Sequence, residues 1–261
     1  MGEFISEGSL RGSAVSIIGR DIEIVDSAVS TNDIARQRAE KGCREGLIVL
    51  ARTQTSGKGR MGRRFHSPDG GLYMSLVLRP SLPPQEVSVL PLLAGLAVSK
   101  SISATVMLPT LLKWPNDVLL DGRKVSGILV ESSIKGDKLE YAVIGVGINV
   151  NFECSELPDE LRESAGTLMD ASGSKVDMEE LFHNLVCFFE ILYGRFRNGD
   201  TGSILEEWTE RSETIGRKVR VRTGSRDLTG TALGLDQAGA LLLNIDGVLQ
   251  RIDAGDVQYL F

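Results

Sequence analysis

Gln54-Thr55-Ser56-Gly57-Lys58-Gly59-Arg60-Met61-Gly62-Arg63-Arg64-Phe65 is the stretch on which the reading of this chain turns. Three glycines and four cations fall between Gly57 and Arg64. Glycine at that density lets a backbone bend closely around a ligand. Exposed N–H groups beside fixed cations make an anion cradle. A strand-like run at 46–51 leads in, and a second at 71–78 leads out. The loop is therefore carried between two strands of a sheet.

Two familiar phosphate motifs fail here. Gly57-Lys58-Gly59-Arg60-Met61-Gly62 has the spacing of a dinucleotide fingerprint, but that fingerprint needs a helix directly after the loop. Ser67-Pro68-Asp69-Gly70-Gly71 is a turn instead, and a strand follows it. A Walker loop needs Ser or Thr after Gly-Lys, and Gly59 stands there. The plain alternative is a solvated cationic hairpin, the usual fate of a charge run.

The chain as a whole narrows the ligand. Its 261 residues suit one large domain, alone or with a small appendage. The net charge of −6 repels nucleic acid and anionic membranes, so a local basic loop points to a small anion rather than a polyanion. Cys43, Cys154 and Cys187 are odd in number and widely spaced. They suit neither a zinc site nor a disulfide framework, and read as reduced, mostly buried residues of a cytoplasmic protein. His183 lies in an apolar helical pattern and reads as structural, and His66 as a bystander to the loop. Residues 1–20 read as an N-terminal extension, in part an expression remnant, without signal-peptide character. The longest apolar run, about 87–98, contains Pro91 and reads as too short to span a bilayer.

In chain order, 22–25 reads as a first strand, and Ser30 or Thr31 as the cap of a helix to about Lys41. A buried helix is expected over 85–104. Lys113 ends an apolar run and precedes Trp114-Pro115-Asn116-Asp117. An ammonium in that setting needs an anionic partner, because burial otherwise costs several kcal/mol. Asp121-Gly122 marks a hairpin, and Gly145 and Gly147 allow close approach in the strand at 141–151. Helices dominate from about 157 to 213, with Asp177 and Glu180 spaced as a capping box. From Lys218 short strands alternate with turns, as in a β-barrel of about 45 residues, too small to stand alone.

Gly57-Lys58-Gly59-Arg60-Met61-Gly62-Arg63, Lys113-Trp114-Pro115-Asn116-Asp117 and Gly145-Val146-Gly147-Ile148-Asn149 together resemble the biotin–protein ligases. Ser30-Thr31-Asn32 and the C-terminal barrel fit the same pattern, and the likeness runs from about residue 20 to the end. It implies an α+β fold: a mixed-sheet catalytic domain of the class II synthetase and lipoate-ligase type at 21–215, and an SH3-like domain at 216–261. It implies ATP-dependent biotinylation of a lysine on a biotin carboxyl carrier domain through biotinyl-5′-AMP. By that resemblance Arg60 and Lys113 are catalytic, flanking the biotin carboxylate and α-phosphate. Ser30, Thr31, Asn32, Gln54, Gly57, Lys58, Gly59 and Gly127 would bind biotin. Arg63, Phe65, Asn116 and Asn149 would bind the nucleotide, which brings Mg²⁺. Lys58, Met61 and Phe65 stand where the family commonly has two arginines and a tryptophan. The resemblance is to members lacking the DNA-binding domain, with a homodimer as a family habit and neither nucleic acid nor membrane as partner. A lipoate or octanoate ligase of the same fold is the nearest rival. A nucleic-acid binder is the more distant one, opposed by the acidic charge and by the absence of interleaved aromatics.

Overall fold

The computed structural model describes residues 17–81, 83–224 and 226–260. The expected extension therefore lies mostly outside the described residues. A seven-stranded sheet organises the chain. Its strands are β1 (Ile22–Ala28), β2 (Ile48–Gln54), β3 (Leu72–Leu78), β4 (Leu111–Lys113), β5 (Asp117–Leu120), β6 (Arg123–Lys135) and β7 (Lys138–Ile148), in the order β1-β2-β3-β7-β6-β5-β4. β1 and β2 run parallel and the other pairs antiparallel, so the sheet is mixed as expected.

The two-residue period of the strands sorts the side chains. On one face Ile48, Leu50, Leu72, Met74, Leu76, Ile144, Val146 and Ile148 join the main core. There they pack with α2 (Leu90–Val106), α4 (Met178–Arg197) and α5 (Thr201–Glu210). On the other face Val49, Val77, Tyr141 and Val143 pack against Ala35 and Ala39 of α1 (Thr31–Glu40). That single helix covers only part of its face. Beyond it the strands present Ser75, Gly127, Gly145 and Gly147, so the sheet itself becomes the floor of a groove.

Helix α2 starts later than the sequence suggests. A 3-10 stretch, Pro84–Val89, precedes it, and Pro91 takes the first turn, where its missing N–H costs nothing. The 21-residue run Glu86–Val106 is, by length and composition, long and apolar enough to cross a membrane, which corrects the shorter run read from the sequence. Two thirds of an 18-residue window within it is buried inside the fold, against α4, α5 and the sheet, which accounts for its apolarity. Asp177 caps α4 by accepting from the N–H groups of Glu179 and Glu180. His183, read as structural, faces solvent on α4; Cys187 is exposed beside it, and Cys43 and Cys154 are half-buried, contrary to the mostly buried reading of the cysteines.

The C-terminal unit is a five-stranded antiparallel sheet in the order β11-β10-β9-β8-β12. Its strands are β8 (Lys218–Thr223), β9 (Arg226–Leu235), β10 (Leu241–Ile245), β11 (Val248–Ile252) and β12 (Asp256–Tyr259). Val219, Val221, Leu241, Leu243 and Val257 are continuous with the main core. Trp114, 2% exposed, donates its indole N–H to Gly239 O at 3.1 Å, and its backbone N–H to Thr214 Oγ1 at 3.0 Å. The small sheet thus borrows its stability from the larger domain.

Candidate functional site

The Gly57–Arg64 loop leaves β2, folds back on itself and returns to β3. Lys58 and Arg64 form a β-bridge, and Gly59 N–H donates to Arg63 O at 2.7 Å. Met61 and Gly62 at the tip have left-handed φ values of 55° and 73°. No helix follows, so the loop is not a dinucleotide fingerprint. Phe65 N–H donates to Gly57 O at 2.8 Å and closes the base. A Cβ at Gly57 would stand 2.5 Å from Phe65 O, so glycine is required by the turn.

Beneath this loop lies a cleft of about 430 Å³ on the glycine-floored face of the sheet. Ser30, Thr31, Asn32, Gln54, Lys58, Gly59, Arg60, Arg63, Phe65, Lys113, Asn116, Gly127 and Asn149 all line it. Gly57, the remaining candidate, shapes the loop without lining the cleft. Phe65 lies across Gly147, where a Cβ would meet its ring at 2.5 Å.

One end of the cleft is polar and almost dry. Ser30, Thr31 and Asn32 are 2%, 3% and 3% exposed at the start of α1. Ser30 makes no side-chain cap bond, contrary to a pure capping role. Thr31 instead bonds to Gln54 Oε1 through its N–H at 2.8 Å and its hydroxyl at 3.2 Å. Gln54 Nε2 donates to Ser67 Oγ at 2.9 Å. Ser75 Oγ, fully buried, lies 2.7 Å from Thr31 Oγ1 and 2.6 Å from Asn32 Oδ1. Asn32 Nδ2 then donates to Glu131 Oε2 at 2.7 Å. The Thr31 hydroxyl donates to Gln54 Oε1, and Ser75 Oγ has Thr31 Oγ1 and Asn32 Oδ1 as its acceptors. Glu131 can only accept, so it fixes the Asn32 amide with Nδ2 toward the carboxylate and Oδ1 toward Ser75.

The other end gathers cations. Arg60 donates to Asn116 Oδ1 at 3.1 Å and to Gly255 O at 3.3 Å. Arg63 pairs with Asp256 at 2.6 Å, and Lys124 with Asp117 at 2.6 Å. Lys58 is tied to Asp33 of α1 at 2.5 Å. Lys113 sits 4.8 Å from the centre of the Tyr259 ring. Among the described residues neither Arg60 nor Lys113 has a carboxylate within ion-pair distance. Burial pulls both below their ordinary pKa, offset in part by the fields of Asp117 and Asp256. Asn149, 5% exposed, donates to Gly166 O at 3.0 Å and holds the strand 123–127 against the segment 157–168. Leu157, Leu161 and Ala165 of that segment make an apolar wall beside Asn149.

Ser75, Glu131, Asp117, Lys124, Asp256 and Tyr259 belong to the site and were not read as such from the sequence. Ser75 carried a signal, being the one polar residue in the run Leu72-Tyr73-Met74-Ser75-Leu76-Val77-Leu78. Lys124 follows the Asp121-Gly122 turn and looked like a hairpin charge. The cleft residues of the C-terminal strand carried no local signal.

A mixed sheet thus sets a buried polar pocket against Arg60 and Lys113, which have no carboxylate partner among the described residues, an arrangement suited to a small ligand with a polar head and an anionic end. Residues 25–149 match the Biotin/lipoate A/B protein ligase family, and residues 214–259 match the Biotin protein ligase C terminal domain. The chain belongs to the biotin protein ligases of that family. It is 37% identical to the bifunctional ligase/repressor BirA of Bacillus spizizenii, over 97% of this chain and 79% of that protein. It is 33% identical to the biotin–[acetyl-CoA-carboxylase] ligase of Mycobacterium tuberculosis, over 98% of this chain and 96% of that one. The structure of the biotin protein ligase of Aquifex aeolicus in complex with biotin and ATP superposes with a TM-score of 0.77 at 29% identity, covering 92% of this chain and 98% of that one.

Proposed function

We propose that this chain joins biotin to ATP as biotinyl-5′-AMP, and then passes the biotinyl group to a lysine of a biotin carrier domain. In the first step a biotin carboxylate oxygen attacks the α-phosphorus and pyrophosphate leaves. In the second the lysine amine attacks the acyl carbon, loses a proton, and AMP leaves. The observation that carries this reading is the pair Arg60 and Lys113, two cations withdrawn from water with no carboxylate partner among the described residues. Joining a carboxylate to a triphosphate brings two anions together, and fixed positive charge in a poorly solvated site is what such a step requires.

The polar end suits the ureido ring. Ser30, Thr31, Asn32 and Gln54 line it with hydroxyl and amide groups that can meet the ring N–H and carbonyl groups. Gly145 and Gly147 let Asn32 and Phe65 settle close against the sheet, Gly127 adds to the lining, and Lys58 and Gly59 cover the pocket. A dithiolane offers this pocket no hydrogen bonds, and buried polar groups left unpaired reject such a ligand strongly. Arg60 and Lys113 meet the carboxylate and α-phosphate, and Asn116 holds Arg60 in place. Arg63, Phe65 and Asn149 receive the nucleotide beside the apolar wall. No protein nucleophile is needed, so the work is positioning and charge compensation.

Among the described residues no cluster of three or more His, Cys, Asp or Glu could cage a metal. This fits Mg²⁺ arriving as MgATP, since that ion keeps most of its waters and takes one or two protein oxygens at most. When bound, it neutralises triphosphate charge. The three free cysteines suit a reducing, cytoplasmic setting. A carrier domain is the proposed protein partner, and self-association as a homodimer is a further part of the reading. Neither nucleic acid nor membrane enters it.

Pyrophosphate release tests the acid directly. With ATP and Mg²⁺, biotin should sustain release, while lipoate and octanoate should not. Release with lipoate at the biotin rate would overturn the assignment. Ser75→Ala tests the polar end. It leaves Asn32 Oδ1 without its donor, a loss that should raise the biotin KM by about tenfold. The kcat should stay within a few-fold of the parent, because Ser75 is remote from the phosphate. An unchanged KM would remove the Ser75 relay from biotin recognition.

A further inference from the structure

Three cations of the cleft are held from the same short segment of the small sheet. Gly255 O accepts from Arg60, Asp256 pairs with Arg63, and Tyr259 lies against Lys113. The first two contacts are ordinary hydrogen bonds and ion pairs. The third differs, because the Lys113 ammonium has no other partner among the described residues.

The charged groups around Lys113 explain why. Asp117 of β5 and Asp256 of β12 raise its proton affinity, and Lys124 of β6 and Arg63 of the loop lower it. Each of those carboxylates already serves another cation, Asp117 holding Lys124 and Asp256 holding Arg63, both at 2.6 Å. What remains for Lys113 is the Tyr259 ring, with Nζ 4.8 Å from its centre. An ammonium within about 6 Å of an aromatic face is attracted by the ring quadrupole, and more strongly where water is scarce. Arg217 shares the ring at 5.0 Å, but it also has Glu213 as an ion-pair partner. The ring is itself tethered. Its hydroxyl lies 3.5 Å from Thr214 Oγ1, which accepts from the backbone N–H of Trp114, the residue next to Lys113.

We propose that Tyr259 is a positioning residue: its ring, supplied by the C-terminal domain, aims the Lys113 ammonium into the cleft without neutralising it. A carboxylate in that place would cancel the charge that adenylation needs. A ring directs the ammonium and leaves its positive charge for substrate. The inference rests on the proposed role of Lys113 in biotin adenylation.

The test uses the full-length protein with residue 259 replaced by Phe, 4-fluoro-Phe, 3,5-difluoro-Phe and 3,4,5-trifluoro-Phe, and a separate Tyr259→Leu variant. Fluorine drains the ring face of negative potential with little change of shape. Biotin-dependent pyrophosphate release is followed against pH, with the melting temperature beside it. In Tyr259→Leu the kcat should fall roughly ten- to thirtyfold, the scale of losing one desolvated cation–π contact. The alkaline limb should move to lower pH, since the charged amine has lost its attraction. Phe should restore both. The phenol cannot be the source of that limb, because burial pushes its own pKa up to about 12. Through the fluorinated series kcat and the limb should fall step by step while the melting temperature stays level. A flat series in an active protein would overturn the role of the ring, even if Tyr259→Leu fails to fold. A parent chain that makes no biotinyl adenylate would overturn the reading of the cleft itself, and the role of Tyr259 with it.

Discussion

Lys113→Gln should all but abolish biotin-dependent pyrophosphate release, at saturating as well as at low biotin. The side chain is one bond shorter but stays unbranched and polar, so packing is disturbed little, whereas the charge is gone. Removing one preorganised group that meets developing charge typically costs a hundred- to a thousandfold in kcat. The KM should rise less than kcat falls, because the charge that Lys113 offsets grows as the carboxylate approaches phosphorus. A variant with raised KM and normal kcat would show uniform binding and contradict that role. Lys113→Arg should not restore the parent rate, since a planar guanidinium is a different shape and stacks differently on the ring. The parent should also show a pH signature. Burial, the larger influence, holds Lys113 below the ordinary lysine range, offset in part by Asp117. The charged amine is the active form. Activity should therefore hold below that lowered pKa and fall as pH rises through it, earlier than an exposed lysine would dictate. The same limb should be missing from the residual activity of Lys113→Gln.

The main features of this site were legible because they rest on residues whose chemistry is unusual where they stand. Gly57, Gly59 and Gly62 among four cations could only be a built loop. Lys113 beside Trp114 could not be a solvated tip, although the partner foreseen for it was an anion of the ligand and the structure adds an aromatic ring. Gly145 and Gly147 announced close approach, and the sheet shows Asn32 over the first and Phe65 over the second. What stayed hidden depends on tertiary placement. Asp256 and Tyr259 lie some 140 residues beyond Lys113. Nothing local to a small strand says that it closes a distant cleft. Lys124 differs from any hairpin lysine only by its register, which sets Asp117 opposite Gly127 and brings Lys124 onto that acid. Ser30 does stand at the N-cap of α1, as the sequence suggests, but its hydroxyl makes no capping bond. A hydroxyl at a helix start normally serves the free N–H groups of the first turn. Here the first-turn side chains are claimed by the sheet: Ser75 and Gln54 bind Thr31, and Glu131 binds Asn32.

Gly145→Ala should be nearly as damaging as loss of Lys113, by a different route. Gly145 lies on β7 opposite Ser75 of β3 and Leu129 of β6, in the middle of the ladder, so its backbone cannot yield. A Cβ there would stand closer to Asn32 Oδ1 than real Cβ atoms approach anything. Asn32 is 3% exposed and held on both sides, by Ser75 at 2.6 Å and Glu131 at 2.7 Å. It has nowhere to retreat without breaking one of those bonds. Overpacking of this kind costs roughly 1–3 kcal/mol. In a chain of this size that lowers the melting temperature by about 2–4 °C for each kcal/mol. The larger effect should fall on recognition. A displaced Asn32 drags the Thr31 relay with it, and misplacement by about 1 Å can cost a hundredfold. We expect biotin kcat/KM to drop by about that factor, chiefly through KM, while ATP binding is spared. The double variant Gly145→Ala/Asn32→Ala separates the two effects. Removing the amide relieves the clash, so the melting temperature should recover toward that of Asn32→Ala alone, whereas biotin recognition should stay lost. If the two substitutions simply add in stability, the clash with Asn32 is not the cause and the close approach at Gly145 serves something else.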